Sequence, residues 1–142
     1  MKRKVLFICV HNSARSQMAE EFLRLLGGEE FEVESAGFEA TEINPLVIPV
    51  MKEEGIDLTN KKTKSVFNLY KEGRFFGYVI TVCNKGKESN CPIFPGSPIR
   101  IHWDLEDPED FIGTEEGKLE MVKELRNKIK KMVQQFIEQY KE

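Results

Sequence analysis

The stretch KVLFICVHNSARSQMAEEFLRLL, Lys4 to Leu26, passes from a continuous apolar run through a loop of small and polar residues into a segment with helical spacing. An unbroken run rich in β-branched and aromatic residues suits a strand covered on both faces, as in a parallel sheet. After the loop, Met18, Phe22 and Leu25 or Leu26 fall on one face of a helix. Working outward, GYVITVC (Gly77 to Cys83) is a second apolar run, and FEVESAGF (Phe31 to Phe38) and SPIRIHWDL (Ser97 to Leu105) are shorter strand candidates. Asn44-Pro45 reads as an N-cap followed by proline at the first helical position, with Gly55 as the stop. Pro49 removes a hydrogen bond inside that helix, which is therefore expected to kink or start late. Val122, Leu125, Ile129, Met132, Val133, Phe136 and Tyr140 repeat at helical spacing from about Lys118 to the C-terminus, a core stripe. Alternating strands and helices predict an α/β three-layer sandwich on a four-stranded parallel sheet, one domain over residues 1–142. CNKGKESNCPIFPGSP (Cys83 to Pro98) is the one long stretch that reads as irregular.

Composition narrows the function. The chain has 142 residues, 40% of them hydrophobic, and a formal net charge of -3. Its basic residues are interleaved with acids, which gives no footprint for nucleic acid. MKRKVLFICV has too short an apolar stretch for a membrane span and no small-residue cleavage site, so a cytoplasmic protein is expected; a monomer is expected as well. Three cysteines in a reducing compartment argue against a disulfide framework and for reactive thiols.

The loop itself carries the chemistry. Five residues separate Cys9 from Arg15, the spacing with which a chain can wrap an anion and return an arginine to its far side. Backbone N–H groups of Val10, His11, Asn12, Ser13, Ala14 and Arg15 are expected to point inward, helped by the dipole of the helix that follows. The field that stabilises an oxyanion also stabilises the thiolate of Cys9. Ser16 offers a hydroxyl to the sulfur, Arg15 a planar fork for two oxygens of phosphate or arsenate, and Asn12 side-chain bonds that hold the loop's shape. Read blandly, Cys9 is a buried strand-end cysteine and Arg15 a surface residue, but the strand before, the small residues within and the helix beyond supply the context that a bare C-x5-R match lacks.

CVHNSARSQMAE resembles the signature of the thioredoxin-coupled arsenate reductases, which share a fold with the low-molecular-weight protein tyrosine phosphatases. The resemblance extends through SAG (Ser35 to Gly37), Asn44-Pro45, GIDLTN (Gly55 to Asn60), VITVC (Val79 to Cys83), CPIFP (Cys91 to Pro95) and WDLEDP (Trp103 to Pro108). It implies that Cys9 attacks arsenate, that Cys83 attacks the sulfur of the adduct and releases arsenite, and that Cys91 then takes over the disulfide for reduction by thioredoxin. Phosphate and sulfate are the expected competing anions. A phosphatase on the same fold would need only Cys9, Arg15 and an acid, and is the alternative. A third reading, a redox-regulated phosphate-binding protein, leaves an acid unused. The spacing of Cys83 and Cys91 matches no common zinc pattern, so no metal centre is expected there.

By the same resemblance Asp107, followed by Pro108, is the general acid, although Glu106, Glu109 and Asp110 crowd the segment and the residues alone do not choose among them. One subgroup of these reductases binds potassium through positions matched here by Asn12, Glu20 and Ser35. Its aspartate position is matched by Lys64, so the resemblance implies an ammonium in place of the ion and no cofactor. His102, between Ile101 and Trp103, reads as a hydrogen-bonded core or edge residue.

Overall fold

The computed structural model describes residues 2–84, 96 and 99–141. Cys91 and most of the irregular stretch around it lie outside the described residues. The elements are β1 (Arg3–Cys9), α1 (Arg15–Gly27), β2 (Phe31–Gly37), α2 (Val47–Lys52), α3 (Val66–Lys71), β3 (Tyr78–Thr81), β4 (Ile99–His102) and α4 (Glu115–Tyr140), with a 3-10 turn at Pro108–Asp110. Four parallel strands run in the order β2-β1-β3-β4. The two most apolar runs, β1 and β3, are the central pair, as expected of strands buried on both faces.

Alternation along β1 sends Val5, Phe7 and Cys9 to the face covered by α1 and α4, and Leu6 and Ile8 to the face covered by α3. Strand order reverses about β1, because β2 lies to one side and β3 to the other. The crevice beyond the carboxyl ends of these strands is where open α/β sheets build sites, and Cys9 stands at its edge.

Several elements differ from the sequence reading for identifiable reasons. Helix α2 begins at Val47, not next to Pro45. Asn44 still ends the preceding loop, accepting from Leu46 N at 2.8 Å. The late start puts Pro49 in the first turn, where its missing N–H has no helical partner to lose. Helix α3 has no counterpart in the expected elements. Its signals were Ser65, whose hydroxyl accepts from Phe67 N, and the buried pair Val66 and Leu69. Helix α4 starts three residues before Lys118, capped by the Thr114 hydroxyl. In α1 the buried face is Met18, Ala19, Phe22 and Leu23, whereas Leu25 and Leu26 are exposed because the helix ends beside them, past the edge of the core. Among the described residues no helix is long and apolar enough to cross a membrane.

Ile129 sits at the centre of the α4 stripe with no exposure. Ile129→Ala is expected to cost about 2–5 kcal/mol in chemical denaturation, whereas Leu25→Lys should stay within about 0.5 kcal/mol of the parent. Equal losses at the two positions would contradict this assignment of the buried face.

Candidate functional site

Every carbonyl of the loop after β1 is turned outward and bonded. Phe38 N donates to Cys9 O (3.2 Å), Glu39 N to Val10 O (2.7 Å), Thr41 N to His11 O (3.2 Å) and Asn44 N to Ser13 O (2.9 Å). Gln17 Nε2 donates to Asn12 O at 3.1 Å, and Met18 N to Ala14 O at 2.9 Å, the first bond of α1. With the carbonyls fixed on the outside, the peptide planes leave the N–H groups of Val10 to Arg15 for the interior of the loop, the concavity that binds oxyanions. Gly37 makes this possible. A Cβ there would lie 2.8 Å from Asn12 N, His11 C and Val10 O, so the β2 backbone reaches the loop only without a side chain.

Asn12 is the hub. It is the only non-glycine described residue with positive φ, at 55°, a conformation asparagine tolerates better than most side chains. That turn aims Asn12 N at Cys9 Sγ, 3.0 Å away. Its Oδ1 accepts from Gln17 Nε2 (3.0 Å) and Lys64 N (2.9 Å), and its Nδ2 donates to Ser16 Oγ (2.8 Å) and Ser35 Oγ (2.9 Å). Gln17, fully buried and also donating to Lys62 O at 3.3 Å, was not marked by the sequence. Nothing but its place in the first turn of α1 pointed to it.

Proton directions along this network follow from its end. Ser35 donates its hydroxyl to Glu20, and a carboxylate can only accept. Ser35 therefore accepts from Asn12, Asn12 has spent its second amide proton on Ser16, and the Ser16 hydroxyl is left to donate to Cys9 Sγ, 2.9 Å away. Two donors thus meet the sulfur.

Burial opposes the charge on Glu20, but hydrogen bonds from Lys61 and Ser35, the Lys61 charge and Arg24 outweigh it and hold the carboxyl below its usual range. The resulting stability is present above a pH of about 4.5, the ordinary value, and is lost as pH falls through the lower folded one. The ammonium on Glu20 is that of Lys61, at 2.8 Å, not that of Lys64. Lys64 is tied by its backbone to Asn12 and Gly37, which directs its side chain to Glu34 at 3.0 Å. Among the described residues no three His, Cys, Asp or Glu side chains form a metal-binding group.

Across the loop, Arg15 is 2% exposed. Its NH1 donates to Leu105 O at 3.1 Å and its NH2 lies 3.3 Å from Asp107 Oδ2. Asp107 is buried, while Glu106, Glu109 and Asp110 are exposed, so Asp107 is the acid of its segment that faces the loop. Asp107 Oδ1 accepts from Glu109 N at 3.0 Å. His11 lies at the rim, its Nδ1 3.2 Å from Glu39 O, and His102 pairs with Thr81 Oγ1 at 2.7 Å on the edge strand.

Cys83 is fully buried just past β3. The register Ile8↔Thr81, continued by a bond from Val82 N to Ile8 O at 2.8 Å, sets Val82 beside Cys9. Cys83 comes one residue later, a diagonal of about 6 Å at ordinary strand spacings.

Comparison with known proteins adds to this geometry. The model of the family described as low molecular weight phosphotyrosine protein phosphatase matches residues 4–142. The chain is 38% identical to an arsenate reductase of Oceanobacillus iheyensis over 139 residues, 95% of each chain. Among solved structures, it resembles an arsenate reductase in the phosphate binding state with a TM-score of 0.76 and 31% identity, over 96% of this chain and 98% of that one. It also resembles a thioredoxin-dependent arsenate reductase of Corynebacterium glutamicum, with a TM-score of 0.59 and 31% identity, over 94% of this chain and 62% of that one.

Iodoacetamide is expected to alkylate Cys9, and inorganic phosphate should protect it by occupying the loop. Gly37→Ala should abolish that protection and cost about 1–3 kcal/mol of stability, since the new methyl meets backbone on three sides. Peptide mapping after alkylation and a denaturation curve check the two effects. A Cys9 that reacts like a solvent thiol and ignores phosphate would overturn the reading of the loop.

Proposed function

The chain belongs to the low molecular weight phosphotyrosine protein phosphatase family, and within it we propose that this protein is an arsenate reductase whose thiols are regenerated by thioredoxin. The observation that carries the reading is a loop with bonded carbonyls that gathers Cys9, Arg15 and a buried acid, Asp107, at one place. The arsenate reductases it resembles, one of them in a phosphate binding state and one described as thioredoxin-dependent, support it.

Arsenate settles on the inward N–H groups of Val10 to Arg15, and the Arg15 fork takes two of its oxygens. The Cys9 thiolate, held by the Asn12 and Ser16 donors, attacks arsenic. The S–As bond forms as an As–O bond breaks, and Asp107 protonates the departing oxygen so that it leaves as water. Cys83 then attacks Cys9 sulfur. The S–As electron pair stays on arsenic, which is reduced from As(V) to As(III) and leaves as arsenite, while the two sulfurs become a disulfide. The register ends β1 and β3 side by side, which brings Cys83 next to Cys9; because Val82 and not Cys83 shares the Cys9 face of the sheet, the attack requires the backbone after β3 to turn. Cys91, outside the described residues, takes over the bond by thiol exchange with Cys83, and thioredoxin reduces the pair. Such thiols require a reducing compartment, in keeping with a cytoplasmic protein.

No potassium is required. Asn12, Ser35 and Glu20 form one hydrogen-bonded set, and the Lys61 ammonium already neutralises Glu20. Turnover is expected to be equal in potassium and sodium at fixed ionic strength. Lys61→Met should slow the reaction, and a wild-type rate that rises with potassium would contradict the assignment.

The relay is tested by two substitutions. Cys83→Ser should abolish arsenite formation while sparing slow hydrolysis of an aryl phosphate, which needs only Cys9, Arg15 and Asp107. Cys91→Ser should yield one equivalent of arsenite per protein, trap a Cys9–Cys83 disulfide and stop turnover with thioredoxin. Arsenate reduction by the Cys83→Ser protein at the parent rate would exclude the relay.

A further inference from the structure

One side chain ties the anion loop to the segment that carries Asp107. Asn44 is 5% exposed. Its backbone N–H donates to Ser13 O at 2.9 Å and its carbonyl accepts from Val47 N at 3.1 Å. Its Oδ1 accepts from Leu46 N at 2.8 Å. Three bonds to backbone fix its position, and its Nδ2 then donates to Glu109 Oε1 at 3.0 Å. Glu109 N in turn donates to Asp107 Oδ1 at 3.0 Å, and Asp110 N to Asp107 O at 2.9 Å.

We propose that Asn44 and Glu109 form a clamp that positions Asp107 for proton delivery, a pair of positioning residues for the acid; this rests on the reading of Asp107 given above. Arg15 also ties the acid segment to the loop, through NH1 to Leu105 O and NH2 to Asp107 Oδ2. Those terminal nitrogens are also the ones that a tetrahedral oxyanion takes in a fork. Each of those nitrogens carries two protons, so a bound oxyanion shares them with the acid segment and draws the guanidinium toward itself. Asn44, held on the flanking segment through Ser13 O, gives its amide to Glu109, so the clamp keeps the acid in register while the guanidinium is engaged. An acid displaced by an ångström loses much of its effect.

The clamp is tested with two aryl phosphates as probes alongside single-turnover arsenite formation. In both reactions a bond to Cys9 sulfur forms, a bond to oxygen breaks and the Asp107 proton leaves on that oxygen. A poor leaving group needs the proton more, so Glu109→Ala should slow phenyl phosphate cleavage about tenfold and 4-nitrophenyl phosphate cleavage far less. Arsenite formation should slow in proportion to the first. Asn44→Asp keeps the bond to Leu46 N but sets carboxylate against carboxylate, and should slow phenyl phosphate further. Adding Glu109→Gln to it restores a donor and should recover most of the rate. In an Asp107→Asn background Glu109→Ala should add no further loss, because a positioning residue acts only through the group it positions.

Equal losses on both aryl phosphates, additive losses with Asp107→Asn, or failure of the paired change to recover would each overturn the clamp, since a merely structural role gives those results. A wild-type protein that cleaves phenyl phosphate by way of Asp107 yet forms no arsenite would overturn the reductase reading, and the clamp would still be decided by the aryl phosphates. If Asp107→Asn leaves every reaction unchanged, the acid assignment and the clamp fall together.

Discussion

The site depends on a set of backbone bonds that belong to no helix or strand. The segment from Phe38 to Asn44 lies along the outside of the Cys9–Arg15 loop and takes up the carbonyls of Cys9, Val10, His11 and Ser13. A peptide that commits its carbonyl outward commits the following N–H inward. Orientation of the interior is thus decided by what is bonded on the exterior, and Gly37 is the position at which the two backbones come close enough for it. The loop holds its shape without reference to a ligand, which is the condition for electrostatic stabilisation that requires no reorganisation during reaction.

Around that frame the polar side chains form a directed chain. Lys61 and Arg24 keep Glu20 charged, Glu20 claims the Ser35 proton, and the remaining donors are handed on through Asn12 to Ser16 and the sulfur. A buried network with a single consistent direction confers rigidity, and beside it Gln17 Oε1 is buried with no hydrogen-bond partner among the described residues. Glu20 therefore reaches Cys9 through three intervening residues without touching it. Arg15 and Asp107 face the loop from the other side, so the positive charge that favours the anion also restrains the acid.

The strands, the loop and the long C-terminal helix were legible because each rests on local pattern. Continuous apolar runs mark β1 and β3, and the stripe from Val122 to Phe136 marks α4. Positions set by tertiary geometry were not. Whether Leu25 and Leu26 are covered depends on where the core ends, and no periodicity reports that. Lys61 and Lys64 are three residues apart on one segment, and only the backbone bonds of Lys64 to Asn12 and Gly37 decide which ammonium reaches Glu20. Six-residue α3 was too short to stand out by spacing, although Ser65 announced its start. Cys9, Arg15, Ser16 and Asn12 could be read because loop chemistry is written in consecutive residues. Choosing Asp107 among four neighbouring acids required either resemblance or knowledge of which one is buried.

The pairing of β1 with β3 has a consequence for how the protein is made. Val5 lies opposite Tyr78 and Ile8 opposite Thr81, partners separated by more than half the chain. Closing so long a connection costs more chain entropy than the more local contacts of β1 with α1, and non-local pairings of this kind slow folding. The acid reaches the loop from still further along, through β4. A chain emerging from the ribosome therefore has the Cys9 loop without its acid until synthesis has passed Asp107 and the sheet has closed. The complete site arrives with the native topology and not before.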